Sequence, residues 1–392
     1  MKKFNIYRNH LTILPVFLIF LTGIILNFTS CDKEEDYGIP VITNIRLPDP
    51  EKADSSITGG DLGQVIVIQG NNLASVQEIY FNSEKAEFIP TLATNTNIIV
   101  RIPSNFPVEI TNTIRLVTLG GDVTYNFTVD IPSPAIDGIK SEYVADGGEA
   151  VIYGQYFYNV QSVTFPGNLE GTIIEYDPEV IKVKVPTGAQ TGKITVSASA
   201  GTGESDFIFR DTTRLILDFD SAPICYGAMP IIDASTNPDP TPVSGNYARA
   251  QYDDLAGGSW WTEALVFAYC GSLRLTTGLP EDYEIKFEIN ILEEWTQGWF
   301  EVKVVGDIEY FYRFNPWVGT EGGTIITDGW VTMSIPLEEF REKTGSGNPD
   351  GIYLTDVTLL DELYFAFQNN LAAAINRLDV CFDNIRVYSA TR

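Results

Sequence analysis

The chain contains one histidine, His10, close to its N-terminus, and none after it. That absence excludes Ser-His-Asp and Cys-His catalysis and every histidine-ligated metal site from the body of the protein. Cysteine is equally scarce: Cys31, Cys225, Cys270 and Cys381 have no zinc-like spacing. They leave room for one disulfide and not for a disulfide framework, and the plainer reading of the last three is small buried residues in strands. Basic residues number 25 against 52 acidic ones, for a formal charge of −27. Nucleic acid and anionic membrane surfaces are therefore poor partners, since their phosphates would be repelled. Helical periodicity is missing beyond residue 40, where short alternating apolar segments are broken by Gly, Pro, Asn and Asp. This pattern predicts an all-β protein. Tryptophan is absent until Trp260, and all six then fall between Trp260 and Trp330.

The one long apolar run, Leu11 to Leu26, follows Lys2, Lys3 and Arg8 and is expected to be a secretory signal peptide over residues 1–30. Phe28-Thr29-Ser30-Cys31 resembles a bacterial lipobox, with Phe28 where leucine is usual. The resemblance implies that Cys31 is lipidated and begins the mature chain, because multiple acyl chains anchor stably where one does not. Asp32-Lys33-Glu34-Glu35-Asp36, within a tether at 31–39, resembles the acidic export signal of Bacteroidetes surface lipoproteins. It is also readable as a solvated spacer. The expected location is the outer membrane, facing the cell exterior.

Self-similarity organises the next part. Gly63-Gln64-Val65-Ile66-Val67-Ile68-Gln69-Gly70-Asn71-Asn72-Leu73 is echoed by Gly148-Glu149-Ala150-Val151-Ile152-Tyr153-Gly154-Gln155-Tyr156-Phe157, and Val100-Arg101-Ile102-Pro103 by Val183-Lys184-Val185-Pro186. Two copies of one module are the simplest account. At these residues the chain resembles the immunoglobulin-like TIG/IPT modules, which implies two sandwiches, at 40–132 and 133–211, with Pro132 and Pro134 at the join. Modules of this kind act mainly as spacers, so 40–211 is expected to supply reach.

Residues 212–392 form a third and larger unit. It opens on Leu215-Ile216-Leu217-Asp218-Phe219-Asp220 and closes on Cys381-Phe382-Asp383-Asn384-Ile385-Arg386-Val387. Such ends resemble jelly-roll carbohydrate-binding modules, and the whole arrangement resembles the surface glycan-binding lipoproteins of Bacteroidetes polysaccharide-utilisation systems. The expected fold is therefore two tandem immunoglobulin-like sandwiches followed by a larger jelly-roll β-sandwich. The resemblance implies a non-catalytic protein that binds a polysaccharide and works beside an outer-membrane transporter and its substrate-capturing lipoprotein.

Strands are expected at 247–252, 261–269, 283–292, 299–305, 309–314 and 330–337. Alternating strand direction brings Trp260, Trp261, Trp295, Trp299, Trp317 and Trp330 to one end. Trp295 reads as the best single ligand contact, in a hairpin loop where no core needs an indole. Trp299 and Trp330 alternate with apolar residues and so point outward, whereas Trp261 shares parity with Leu265 and Phe267. Indoles stack on the apolar faces of pyranose rings, while hydroxyls need fixed polar partners. Candidates for the latter are Glu263, Glu294, Gln297, Glu301, Arg313, Asn315, Gln368 and Asn369, with Tyr364 extending the surface. If the loop end fails, the fallback is a sheet face around Tyr310, Tyr312 and Tyr364. The acidic balance favours a neutral polysaccharide. No cofactor is expected beyond a structural Ca²⁺ held by Asp218, Asp220 and Asp383. The alternatives are a hydrolase using loop carboxylates such as Glu293-Glu294 or Asp253-Asp254, and an adhesin that applies the aromatic patch to a partner protein.

Overall fold

The computed structural model describes residues 37–389 apart from 53, 222–223, 259–261, 345–347 and 370–372. The signal segment, Cys31, the acidic run, Trp260 and Trp261 lie outside the described residues. Within them the chain is all-β, with short 3-10 turns and no α-helix. No helix among them is long and apolar enough to cross a membrane. Contacts divide the chain into two units, 1–130 and 131–392.

In the first unit, Val41–Arg46, Val65–Asn71 and Asn97–Arg101 form one sheet, and Glu84–Lys85, Val76–Phe81, Thr113–Thr118 and Gly121–Asn126 another. Period-two alternation buries Ile66, Ile68, Ile79, Phe81, Ile114 and Leu116 between them. The second unit begins with the same arrangement. Ala135–Ile139, Glu149–Gln155, Val180–Lys184 and Thr172–Tyr176 face Leu169–Glu170, Val160–Phe165, Thr195–Ala198 and Gly201–Glu204 over a core of Ile152, Phe157, Val163, Ile181 and Phe209. Both copies share one device. A β-bulge shifts the register between Ile42 and Asn44 in the first copy and between Ile136 and Gly138 in the second. A side chain at Gly70 or Gly154 would run into the carbonyl oxygen of Val41 or Ala135 respectively. The motif glycine is thus required where the bulged edge strand crosses. Asn72 and Tyr156 then take the same left-handed turn, delivering Leu73 and Phe157 to the core.

The C-terminal sandwich has a back sheet and a front sheet. The back sheet runs in the order Ile231–Ile232, Tyr247–Leu255, Ile375–Ser389, Tyr283–Ile291, Val331–Pro336, and the first strand, Leu215–Leu217, pairs with the last. The front sheet runs Val266–Cys270, Glu362–Gln368, Trp299–Val305, Glu309–Phe314, Arg341–Glu342. Phe267, Phe287, Phe300, Phe365 and Phe382 pack edge-on and stacked between the two. Cys225 and Cys270 form a disulfide, which departs from the reading of both as buried strand residues; Cys381 does lie buried in its strand.

The back sheet carries the second module. Glu142 of that module accepts hydrogen bonds from Lys286 Nζ and Arg386 Nη2, both at 2.7 Å. Arg386 Nη1 donates to Glu288 at 2.7 Å, Thr332 Oγ1 donates to Glu288 at 2.8 Å, and the Glu142 amide donates to Thr332 Oγ1 at 2.7 Å. The Thr332 amide donates to the carbonyl of Lys140. Arg386 lies over the Tyr143 ring and Lys286 over that of Tyr388. Two cations and two carboxylates, all withdrawn from water, are thereby paired with one another, with Arg386 Nε the one nitrogen of that guanidinium left without a partner among the described residues. Burial raises the Glu288 carboxyl above the usual range, and Arg386 opposes it. Burial would lower the Arg386 pKa, but Glu288 and Glu142 more than offset this and hold it raised.

Candidate functional site

With the back sheet occupied, the outward face of the front sheet is the other broad face of the C-terminal domain: Trp299, Lys303, Arg313 and Tyr364 are half-buried on it, whereas Ala268, Glu301, Phe311 and Gln368 are buried. Alternation sends Phe300, Val302, Val304, Tyr310, Phe314, Leu363, Phe365 and Phe367 into the core. The opposite parity presents Trp299, Glu301 and Lys303 on one strand, Phe311 and Arg313 on the next, and Tyr364 and Gln368 on a third. Register makes a row across the strands: Ala268 pairs with Tyr364, Tyr364 with Lys303, Lys303 with Phe311 and Phe311 with Arg341. Bridges extend the row to Tyr226 at one end and Tyr353 at the other. Four inter-strand steps of ~4.8 Å make the sheet-borne part of this row about 19 Å long. Trp299 pairs with Gln368, four residues from Tyr364, so about 14 Å separates the indole from the row.

Cations lie on these rings. Arg313 stands 4.4 Å over Trp299, Lys303 4.1 Å over Tyr364 and Lys343 4.8 Å over Phe311. Lys343 also pairs with the buried carboxylate of Glu301, and Lys303 with Glu309. The rings are thus braced in place, since each cation is held electrostatically at a ring face. Burial and Glu362 push the Tyr364 hydroxyl up to about 12, leaving it a protonated donor at any working pH. Trp299 Nε1 and Asn369 Oδ1 are buried and have no hydrogen-bond partner among the described residues. Two half-buried rings, Trp299 and Tyr364, beside fixed polar side chains suit a ligand with apolar faces and a hydroxylated rim.

The structure divides the tryptophans that the sequence reading gathered at one end. Trp295 is 2% exposed and packs against Phe300, Phe314 and Phe367 at centroid distances of 5.7, 6.0 and 5.9 Å. Its loop is pulled onto the sandwich by reciprocal backbone bonds with Ile325, so the indole closes the core instead of meeting a ligand. Trp317 is half-buried against the core and donates Nε1 to the Gly298 carbonyl. Trp330 immediately precedes the back-sheet strand Val331–Pro336, bonded to the Thr241 carbonyl and edge-on to Tyr247. It lines a cavity of about 300 Å³ with Lys140, Tyr143 and Val144 of the second module, away from the front face. Trp299 alone of the described four stands on that face. Tyr310 and Tyr312 share the inward parity of Phe314, which corrects the fallback reading and leaves Tyr364 as its surviving member.

Among the polar candidates, Glu301, Arg313 and Gln368 join the front face. Glu263 and Glu294 are exposed in loops, and Asn315 is half-buried just beyond its strand. Gln297 and Asn369 both donate to the Ala373 carbonyl, and so brace the loop end. The three aspartates do not assemble. Asp218 caps the amides of Asp220 and Ser221, Asp220 accepts from the Asn246 amide, and buried Asp383 accepts from Asn384 and Ser244. Burial raises the Asp383 pKa, and its hydrogen bonds from Asn384 and Ser244 oppose the shift. Among the described residues no group of three His, Cys, Asp or Glu side chains could hold a metal. Tyr226, Phe311, Arg341, Lys343 and Tyr353 were missed. For Phe311 a signal existed, since it alternates with the charged Glu309 and Arg313.

Residues 209–389 match the family model described as surface glycan-binding protein B xyloglucan binding domain, and residues 40–130 match that of the IPT/TIG domain. The likeness is to surface glycan-binding protein B. The fold agrees with that of the surface glycan-binding protein PbSGBP-B from Prevotella bryantii, at 20% identity and a TM-score of 0.63, over 90% of this chain and 99% of the other. An SGBP-B from a complex xyloglucan utilization locus in Bacteroides uniformis gives 19% identity and a TM-score of 0.52, over 90% and 99%. In sequence, an IPT/TIG domain-containing protein of Bacteroides ovatus is 35% identical over 155 residues, 37% of this chain and 32% of that protein. The chain thus spans about a third of the length of this curated relative. The family-model match over residues 209–389 supports glycan binding by the C-terminal domain.

Proposed function

We propose that this is a non-catalytic lipoprotein of the outer membrane that holds a neutral polysaccharide of the xyloglucan class on the front face of its C-terminal domain. The observation that carries the reading is the outward set Trp299, Tyr364, Lys303, Glu301 and Arg313 on one sheet of a domain that matches the glycan-binding family model. Pyranose rings lie on Trp299 and Tyr364, and the polar side chains meet their hydroxyls. Lipidation of Cys31 anchors the chain, and the first module lifts the sheet from the membrane. The retained glycan passes to a neighbouring transporter and its substrate-capturing lipoprotein. Hydrolysis fits less well. Glu293 and Asp253 are exposed and share Arg377 as ion-pair partner, while the acids with raised pKa, Glu288 and Asp383, are buried instead of lining a cleft.

Titration calorimetry with xyloglucan, a mixed-linkage β-glucan and a galactomannan tests this, with a reducing-end assay beside it. Stacked rings contribute on the order of 1–3 kcal/mol each, by analogy with aromatic stacking of nucleotide bases. Trp299→Ala and Tyr364→Ala should therefore each weaken binding about tenfold, with no reducing ends released. Wild-type affinity in both variants would refute the front-face site.

A further inference from the structure

A short irregular segment flanks the edge strand of the front sheet. The Cys225 amide donates to the Ala268 carbonyl at 3.0 Å, the Ala228 amide to Glu263 and the Met229 amide to Val266 at 3.1 Å. Gly227 sits between them at φ +96°, where a side chain would collide with the Val266 carbonyl. Of these residues Met229 is buried, whereas Cys225, Tyr226 and Ala228 are exposed. Ile224, half-buried, packs against the core on one side of this ledge and Met229 on the other, while Cys225, Tyr226 and Ala228 between them are exposed. Between these two anchors the Cys225–Cys270 disulfide fixes the exposed part covalently, tying it to the end of the edge strand across 45 residues of sequence.

What the ledge presents is Tyr226. Its ring is 42% exposed and lies 6.4 Å from that of Tyr364, inclined at 53°. The residue between them in the row is Ala268, too small to separate the rings. One ring of such a pair forms the floor of a groove and the other its side wall. A glycan chain crossing Tyr364 would meet Tyr226 at the sheet edge, where a terminal or branching sugar can pack against both.

We propose that Tyr226 is a ligand-contacting residue at the edge of the glycan site and that the Cys225–Cys270 disulfide positions it. The inference rests on the front-face reading above. It predicts a coupled pair of effects, measured in the soluble chain starting after Cys31 with xyloglucan as probe. Tyr226→Ala should lower affinity about tenfold, as expected for one lost stacking contact, with an unchanged melting temperature. The double variant Cys225→Ser/Cys270→Ser should lose a similar factor. Adding Tyr226→Ala to it should lose no more, because both changes remove the same contact. Wild-type affinity in Tyr226→Ala, or additive losses in the triple variant, would overturn the inference. Tyr226→Ala carries the test alone if the cysteine variants do not fold. Binding that Trp299→Ala and Tyr364→Ala leave intact would instead refute the front-face reading, so the two failures are distinguishable.

Discussion

Glu142→Gln tests whether the second module and the C-terminal domain are energetically one body. The change preserves shape and removes one negative charge from a cluster in which Arg386 is 1% exposed and Glu288 fully buried. Lys286 loses its carboxylate and Arg386 keeps only Glu288, leaving the interior with a net positive charge. Removing one partner of a buried pair costs about 3–5 kcal/mol, because the remaining charge stays desolvated. For a unit of this size each kcal/mol moves Tm by about 2–4 °C, so a fall of about 6–20 °C is expected. Tryptophan fluorescence isolates the relevant transition, since every tryptophan lies between residues 260 and 330. The loss should shrink in a Lys286→Met background, where the stranded ammonium is gone. A fragment of residues 212–392 should melt below one of residues 131–392 for the same reason. A shift under about 2 °C for Glu142→Gln, equivalent to less than about 1 kcal/mol, would refute the reasoning.

Two further outcomes follow from residues away from the front face. Asp383 has a raised pKa in the fold, so the native state holds its proton more tightly than the unfolded chain does; its contribution to stability is present in acid and is lost as pH rises from the ordinary carboxylate range through the elevated value. Asp383→Asn should raise Tm at neutral pH and flatten its pH dependence, as melts between pH 4 and 8 would reveal. Trp295→Ala should destabilise by about 3–5 kcal/mol through the cavity it leaves, while glycan affinity measured well below the melting transition stays at the wild-type level.

Strand parity made much of the C-terminal domain legible. Phe300, Val302 and Val304 turn inward and Trp299 outward, as their alternation implies. The repeat was equally readable, because Gly70 and Gly154 answer the same backbone crossing. What could not be read depends on contacts distant in sequence. The Trp295 loop is defined by Ile325, and nothing local announces that bridge. Parity treats each strand by itself, so it placed Trp330 and Trp299 outward without revealing that one adjoins the back sheet and the other stands on the front sheet. The row from Tyr226 to Tyr353 exists only through register across five strands. Tyr310 and Tyr312 are a different case, since their alternation with Glu309 and Arg313 already pointed inward.

Cys381 has a practical consequence. Burial pushes its thiol far up, so it is a poor thiolate and out of reach of alkylating reagents. Cys225 and Cys270 are mutually engaged. In a chain that starts after Cys31, a single cysteine introduced on an exposed turn would then be the only site to accept a maleimide dye. Capture of the polymer could be followed on whole particles by fluorescence, without removing any native cysteine.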